Sequence, residues 1–112
     1  MKRINHSITQ TDLPLHIQIL NISVNMARIS QWVFDNYLTK RELIQRFLNQ
    51  TDGYLSDLYK QNISDEFLPT LERFKKEFKD LKGLNVNEKN KLYWAEKALT
   101  WANILQHRAK LA

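Results

Sequence analysis

The chain has 112 residues and a formal net charge of +5 at neutral pH, with a pI near 9.6. A chain of this size supports one hydrophobic core, and an apolar share of 43% beside a charged share of 26% excludes a disordered or fibrous protein. The absence of cysteine excludes a disulfide framework, thiolate chemistry and zinc fingers, and points to the reducing cytosol.

Residues 1–11 are polar and without periodicity, so a loose tail is expected there, followed by one helical domain over 12–112. The basic start at Lys2 and Arg3 has no apolar stretch behind it of the kind a secretory signal needs. Nor does any window approach the ~20 apolar residues of a membrane span.

Asp12 is placed to cap a first helix that begins at Leu13, with Pro14 in its first turn, and runs to about Asn36. At 100° per residue this helix is apolar on two sides. Leu13, Ile17, Leu20, Val24, Ala27, Phe34 and Leu38 share one side, and Leu15, Ile19, Ile22, Met26, Ile29 and Val33 share the other. A strand reading competes here, because Leu15, Ile17 and Ile19 alternate with polar residues, as do Ile22, Val24 and Met26. A turn at Leu20-Asn21 would lack the glycine that tight hairpins favour, so a helix is expected.

Thr39 and Glu42 have the spacing of a capping box at the start of a second helix. Its apolar residues, Leu43, Ile44, Phe47, Leu48, Tyr54, Leu55, Leu58 and Tyr59, hold one phase to about Gln61. Asp52-Gly53 could mark a turn, but the phase passes through unchanged, which favours a continuous helix. Ser64, Asp65 and Glu66 then precede a third helix that starts near Leu68 and carries Leu71, Phe74, Phe78 and Leu81 on a narrow stripe. Gly83 stands where a left-handed residue would end it, with Leu84 placed to fold back on the last turn. Asn85 or Asn87 is expected to cap a fourth helix from about Glu88 onward. That helix would bury Leu92, Trp94, Ala95, Ala98, Leu99, Trp101, Ala102, Leu105 and Ala109. The sum is an all-α, single-domain antiparallel bundle of about four helices.

Chemistry is sparse. His6, His16 and His107 are isolated from one another, so neither a helical metal pair nor an inward Glu-x-x-His set can form, and no metal or other cofactor is expected. Only Gly53 and Gly83 are available for a phosphate cradle or a nucleophile elbow, and neither stands in such a motif. Asp52 with Asp57, and Asp65 with Glu66, read as caps and solvated charges rather than as an acid and base pair. No catalytic residue is assigned, and a non-enzymatic protein is expected.

Two kinds of partner follow from the pattern. Trp94 and Trp101 lie on the apolar face of the fourth helix and read as core, whereas Trp32 stands between the two stripes of the first and would border an interface. The first expectation is therefore a module that self-associates or docks a protein through Leu15, Ile19, Ile22, Met26, Ile29 and Val33. The alternative is a small basic protein that tracks a nucleic-acid backbone with Lys75, Lys79 and Lys82, which share a flank of the third helix, and with Lys89. Spacing also predicts a helical ion pair between Glu72 and Lys76.

Overall fold

Four stretches of helical phase become four helices in the computed structural model, which describes residues 10–112. They are α1 (Leu15–Asn36), α2 (Arg41–Leu58), α3 (Leu68–Gly83) and α4 (Lys91–Arg108), with short 3-10 turns at Gln10–Asp12 and Ala109–Leu111. No strand occurs among the described residues. Most of the expected tail, residues 1–9 with His6, lies outside them. Gln10 belongs to the fold, since its side-chain amide donates to the Gln18 carbonyl at 3.0 Å and its amide oxygen accepts from Asn21 at 3.1 Å.

The helix ends differ from the expected ones, and each for a local reason. Pro14 stands at the cap position of α1 with φ −56° and ψ 148°. Its carbonyl accepts from the amides of Ile17 and Gln18, so the cap falls on Pro14 and not on Asp12. The Thr39 amide donates to Asn36 Oδ1, which draws Thr39 into the turn after α1. Helix α2 then starts behind Lys40, and the spacing that a Thr39 and Glu42 box requires is lost. It also ends at Leu58, short of Gln61, whose amide instead donates to the Leu58 carbonyl in a closing turn.

The cap position of α3 falls on Phe67 without a side-chain cap bond; Ser64 closes the turn just before it, its hydroxyl accepting from the Phe67 amide at 3.1 Å. Gly83 is the last helical residue and no glycine has a positive φ, so the expected left-handed cap is absent. Leu84 is extended and 40% exposed. The Leu81 carbonyl, which such a cap would help to satisfy, already has two donors: the Leu84 amide at 3.1 Å and the Trp94 indole at 2.9 Å. Asn87 and Asn90 close a turn on each other, with Asn90 Oδ1 accepting from the Asn87 amide and Asn87 Oδ1 from the Asn90 amide. Consequently α4 begins at Lys91, later than Glu88.

Helix α1 is the spine. It packs along α4 on one side and α2 on the other. The contact with α4 is close because Ala95, Ala98 and Ala102 supply no bulk there. Ser23 and Ser30 donate across it to the carbonyls of Ala102 and Ala95, at 2.7 and 2.6 Å, which fixes the two helices antiparallel in a single register. On the α2 side Asn25 donates to Gln50 and Thr51, and below it Gln18 and Gln61 exchange two amide bonds. These partners satisfy side chains that burial would otherwise penalise. Helix α3 closes the bundle over α2 and α4, with Phe74 and Trp101 ring centroids 5.5 Å apart.

Gly53 lies inside α2, exposed, and nothing outside that helix comes within 4 Å of where its Cβ would sit. Glycine leaves the unfolded chain more freedom than alanine does. Gly53→Ala is thus expected to raise the unfolding free energy by about 1 kcal/mol, read as a higher urea midpoint at unchanged slope.

Candidate functional site

The two apolar sides of α1 exchange roles relative to the sequence reading. Ile19, Ile22, Met26, Ile29 and Val33 are each at most 1% exposed, and Leu15 is half-buried against the same core. This side is core and offers no free partner surface, because α4 and α2 pack along it. The opposite side faces outward, with Val24 46%, Phe34 52% and Leu38 61% exposed.

Helix α4 extends that surface. Leu92 and Leu99, expected in the core, are 53% and 46% exposed. The close serine and alanine contact explains this: α1 approaches α4 so nearly at Ala95 and Ala102 that the leucines beside them are left on the outer flank. The register set by Ser23 and Ser30 brings Ala27 level with Leu99, and Phe34 level with Leu92. Val24, Ala27, Phe34, Leu92 and Leu99 therefore form one apolar strip over the α1 and α4 pair. Its polar members, Gln31, Asn103 and Gln106, are uncharged, and charge is confined to the edges at Arg28, Asp35 and Glu96. The sequence held the α1 half of this strip in plain view. What hid the α4 half was the assumption that every apolar residue on one arc shares the same depth.

The lysine flank is also real as a surface. Lys75, Lys79 and Lys82 line a groove of about 450 Å³ between α2 and α3, over Leu55, Tyr59 and Phe78. Two of the three already have partners in this chain. The Lys75 ammonium lies 4.6 Å from the centre of the Tyr59 ring, and Lys82 pairs with Asp52 at 2.7 Å. Lys89 lies outside the groove, in the turn before α4. The Glu72 carboxylate forms no ion pair with Lys76; it accepts a hydrogen bond from the hydroxyl of Tyr59, the residue that closes α2. Burial and that carboxylate push the Tyr59 phenol up from its ordinary range.

On the other side of α3, Glu77 accepts from the Trp101 indole at 2.8 Å and from Lys97 at 2.9 Å. The indole bond, followed by the Lys97 ammonium, holds the Glu77 carboxyl below the usual range, while Glu77 raises Lys97. Both charges are thus committed to pinning α3 on α4. Trp94 and Trp101 are core, as expected, and Trp32 is half-buried, its ring edge-on to Phe47 at 4.9 Å. His16 and His107 are exposed, and among the described residues no three His, Cys, Asp or Glu converge as a metal site. No described helix is long and apolar enough to cross a membrane. In comparisons with family models, curated proteins and solved structures, none matches this chain.

Proposed function

We propose that the protein is a non-enzymatic interaction module that docks a protein through the outer face of α1 and α4, in a reducing, cytosolic setting. The observation that carries this reading is the strip itself: four large apolar side chains, Val24, Phe34, Leu92 and Leu99, each 46 to 53% exposed, run along two helices held in fixed register. Isolated exposed leucines are ordinary, but a rigid contiguous patch of this kind is the usual mark of an interface. Its uncharged centre and charged edges match the anatomy of such surfaces. Both helices are locked by buried hydroxyl bonds, so little order has to be gained on docking.

Placing a photo-reactive phenylalanine analogue at Phe34 or at Leu99, in the cells that make the protein, tests this directly. Covalent protein adducts are expected from both positions and not from the exposed Asn62 in the loop between α2 and α3. Equal yields at all three positions, or none at Phe34 and Leu99, would remove the reading.

A further inference from the structure

Ile17, Leu20, Val24, Ala27 and Phe34 of α1, with Leu38 in the turn after it, recur in alternating steps of three and four residues once Gln31 takes its place among them; Leu20 and Ala27 also rest on the core, while Val24, Phe34 and Leu38 stand out from it. This is the seam by which two helices pack knob into hole: Ile17, Val24, Gln31 and Leu38 occupy one core position of the heptad, and Leu20, Ala27 and Phe34 the other. The flanks of the seam are unlike. The flank toward α4 holds Ser23 and Ser30, whose hydroxyls are committed to α4 carbonyls. The flank away from α4 holds Arg28 and Asp35, both exposed, opposite in sign and one heptad apart.

Orientation follows from those flanks. When two helices lie parallel, one flank of each meets the other flank of its partner, and here that would set Arg28 and Asp35 against serines buried under α4. When they lie antiparallel, like flank meets like flank. A helix carrying one cation and one anion a heptad apart on that flank is then complementary to itself, and a two-fold axis forms the ion pair twice. The centre of the seam on α1, from Ile17 to Ala27 and at Gln31 and Phe34, carries no charge.

We infer that a second copy of this chain covers the outer face, with the two α1 helices antiparallel and Arg28 of each beside Asp35 of the other; this rests on the reading of that face as a docking surface. The seam is about 30 Å long and, with α4 beside it, about 20 Å wide. It would cover on the order of 600 Å² on each copy, in the lower part of the range for specific complexes, with a dissociation constant in the micromolar range.

The test is sedimentation equilibrium of the full chain from a few to some hundreds of micromolar. The wild type is expected to dimerise, and Arg28→Asp or Asp35→Arg to weaken the dimer roughly tenfold, since each sets like charges together twice. The chain carrying both exchanges should recover to within about twofold of wild type, because the exchange restores both pairs. Such rescue requires contact between copies, since residues seven apart on one helix do not pair with each other as three- and four-residue neighbours do. A wild type that stays monomeric throughout overturns the inference, as does a dimer indifferent to the single reversals or unrescued by the double exchange. The in-cell adducts keep the two readings apart: monomeric protein with adducts to another polypeptide at Phe34 removes only the second copy, while absence of adducts removes the docking face as well.

Discussion

Ile22→Lys is expected to unfold the domain, whereas Val24→Lys, two residues along the same helix, is expected to leave it folded. Ile22 is 1% exposed and Val24 is 46% exposed. The substituted ammonium at position 22 would lie among Ile19, Met26 and Ile29, where no carboxylate is available, and an unpaired buried charge carries a penalty of several kcal/mol. Loss of the isoleucine packing adds about 2 kcal/mol or more. Together these approach the whole stability of a small domain, about 5–15 kcal/mol. At Val24 the lysine projects into water, and the change should stay within about 0.5 kcal/mol. Far-UV circular dichroism with thermal melting separates the two: no cooperative transition for Ile22→Lys, a near-native one for Val24→Lys. Native helicity and a cooperative melt in Ile22→Lys would mean that the inner stripe is not core.

That pair of neighbours also marks how far the sequence could be read. Periodicity identified α1 as apolar on two sides and separated the buried Ile19, Ile22, Met26, Ile29 and Val33 from the exposed Val24 and Phe34, because the 100° step is a property of the backbone alone; Leu13 and Leu38 fall outside the helix, and Leu20 and Ala27 rest partly on the core. Which side faces inward depends on where the other helices lie, and that is not written in α1. It is written in α4, where Ala95, Ala98 and Ala102 permit close approach and Ser23 and Ser30 find carbonyls to bond. Small residues on both partners at matching intervals were the available signal, and they call for a comparison between helices, not a scan along one. Helix existence was legible throughout, including the passage of α2 through Gly53, since hydrophobic phase is a long-range average. Helix ends were less so. Thr39, Glu42, Gly83 and Asn87 all have the right chemistry for a cap, but competing local partners such as Asn36 and Asn90 took their place. The Arg28 and Asp35 flank became meaningful only after α4 was known to occupy the opposite one.

Trp94→Ala should be the most damaging truncation at the junction of α3 and α4, lowering stability by about 3–5 kcal/mol. The indole is 1% exposed and among the largest fully buried side chains. Its loss removes the packing over the last turn of α3 and one of the two donors to the Leu81 carbonyl. Trp94→Phe separates these contributions. The ring remains but cannot donate, so only the bond and a small part of the volume are lost, with a cost of about 1–2 kcal/mol. The sign of the difference follows from the missing cap. Because Gly83 does not adopt a left-handed conformation, the indole is the donor that the α3 terminus uses in its place, and the phenylalanine variant should loosen that terminus before the rest of the bundle. Hydrogen exchange is the deciding measurement: in Trp94→Phe, amide protection should fall first over Leu81 to Leu84 while Ile22 to Val33 stays protected. Uniform loss of protection along the chain would show that the indole acts through packing alone and that the helix end does not depend on it.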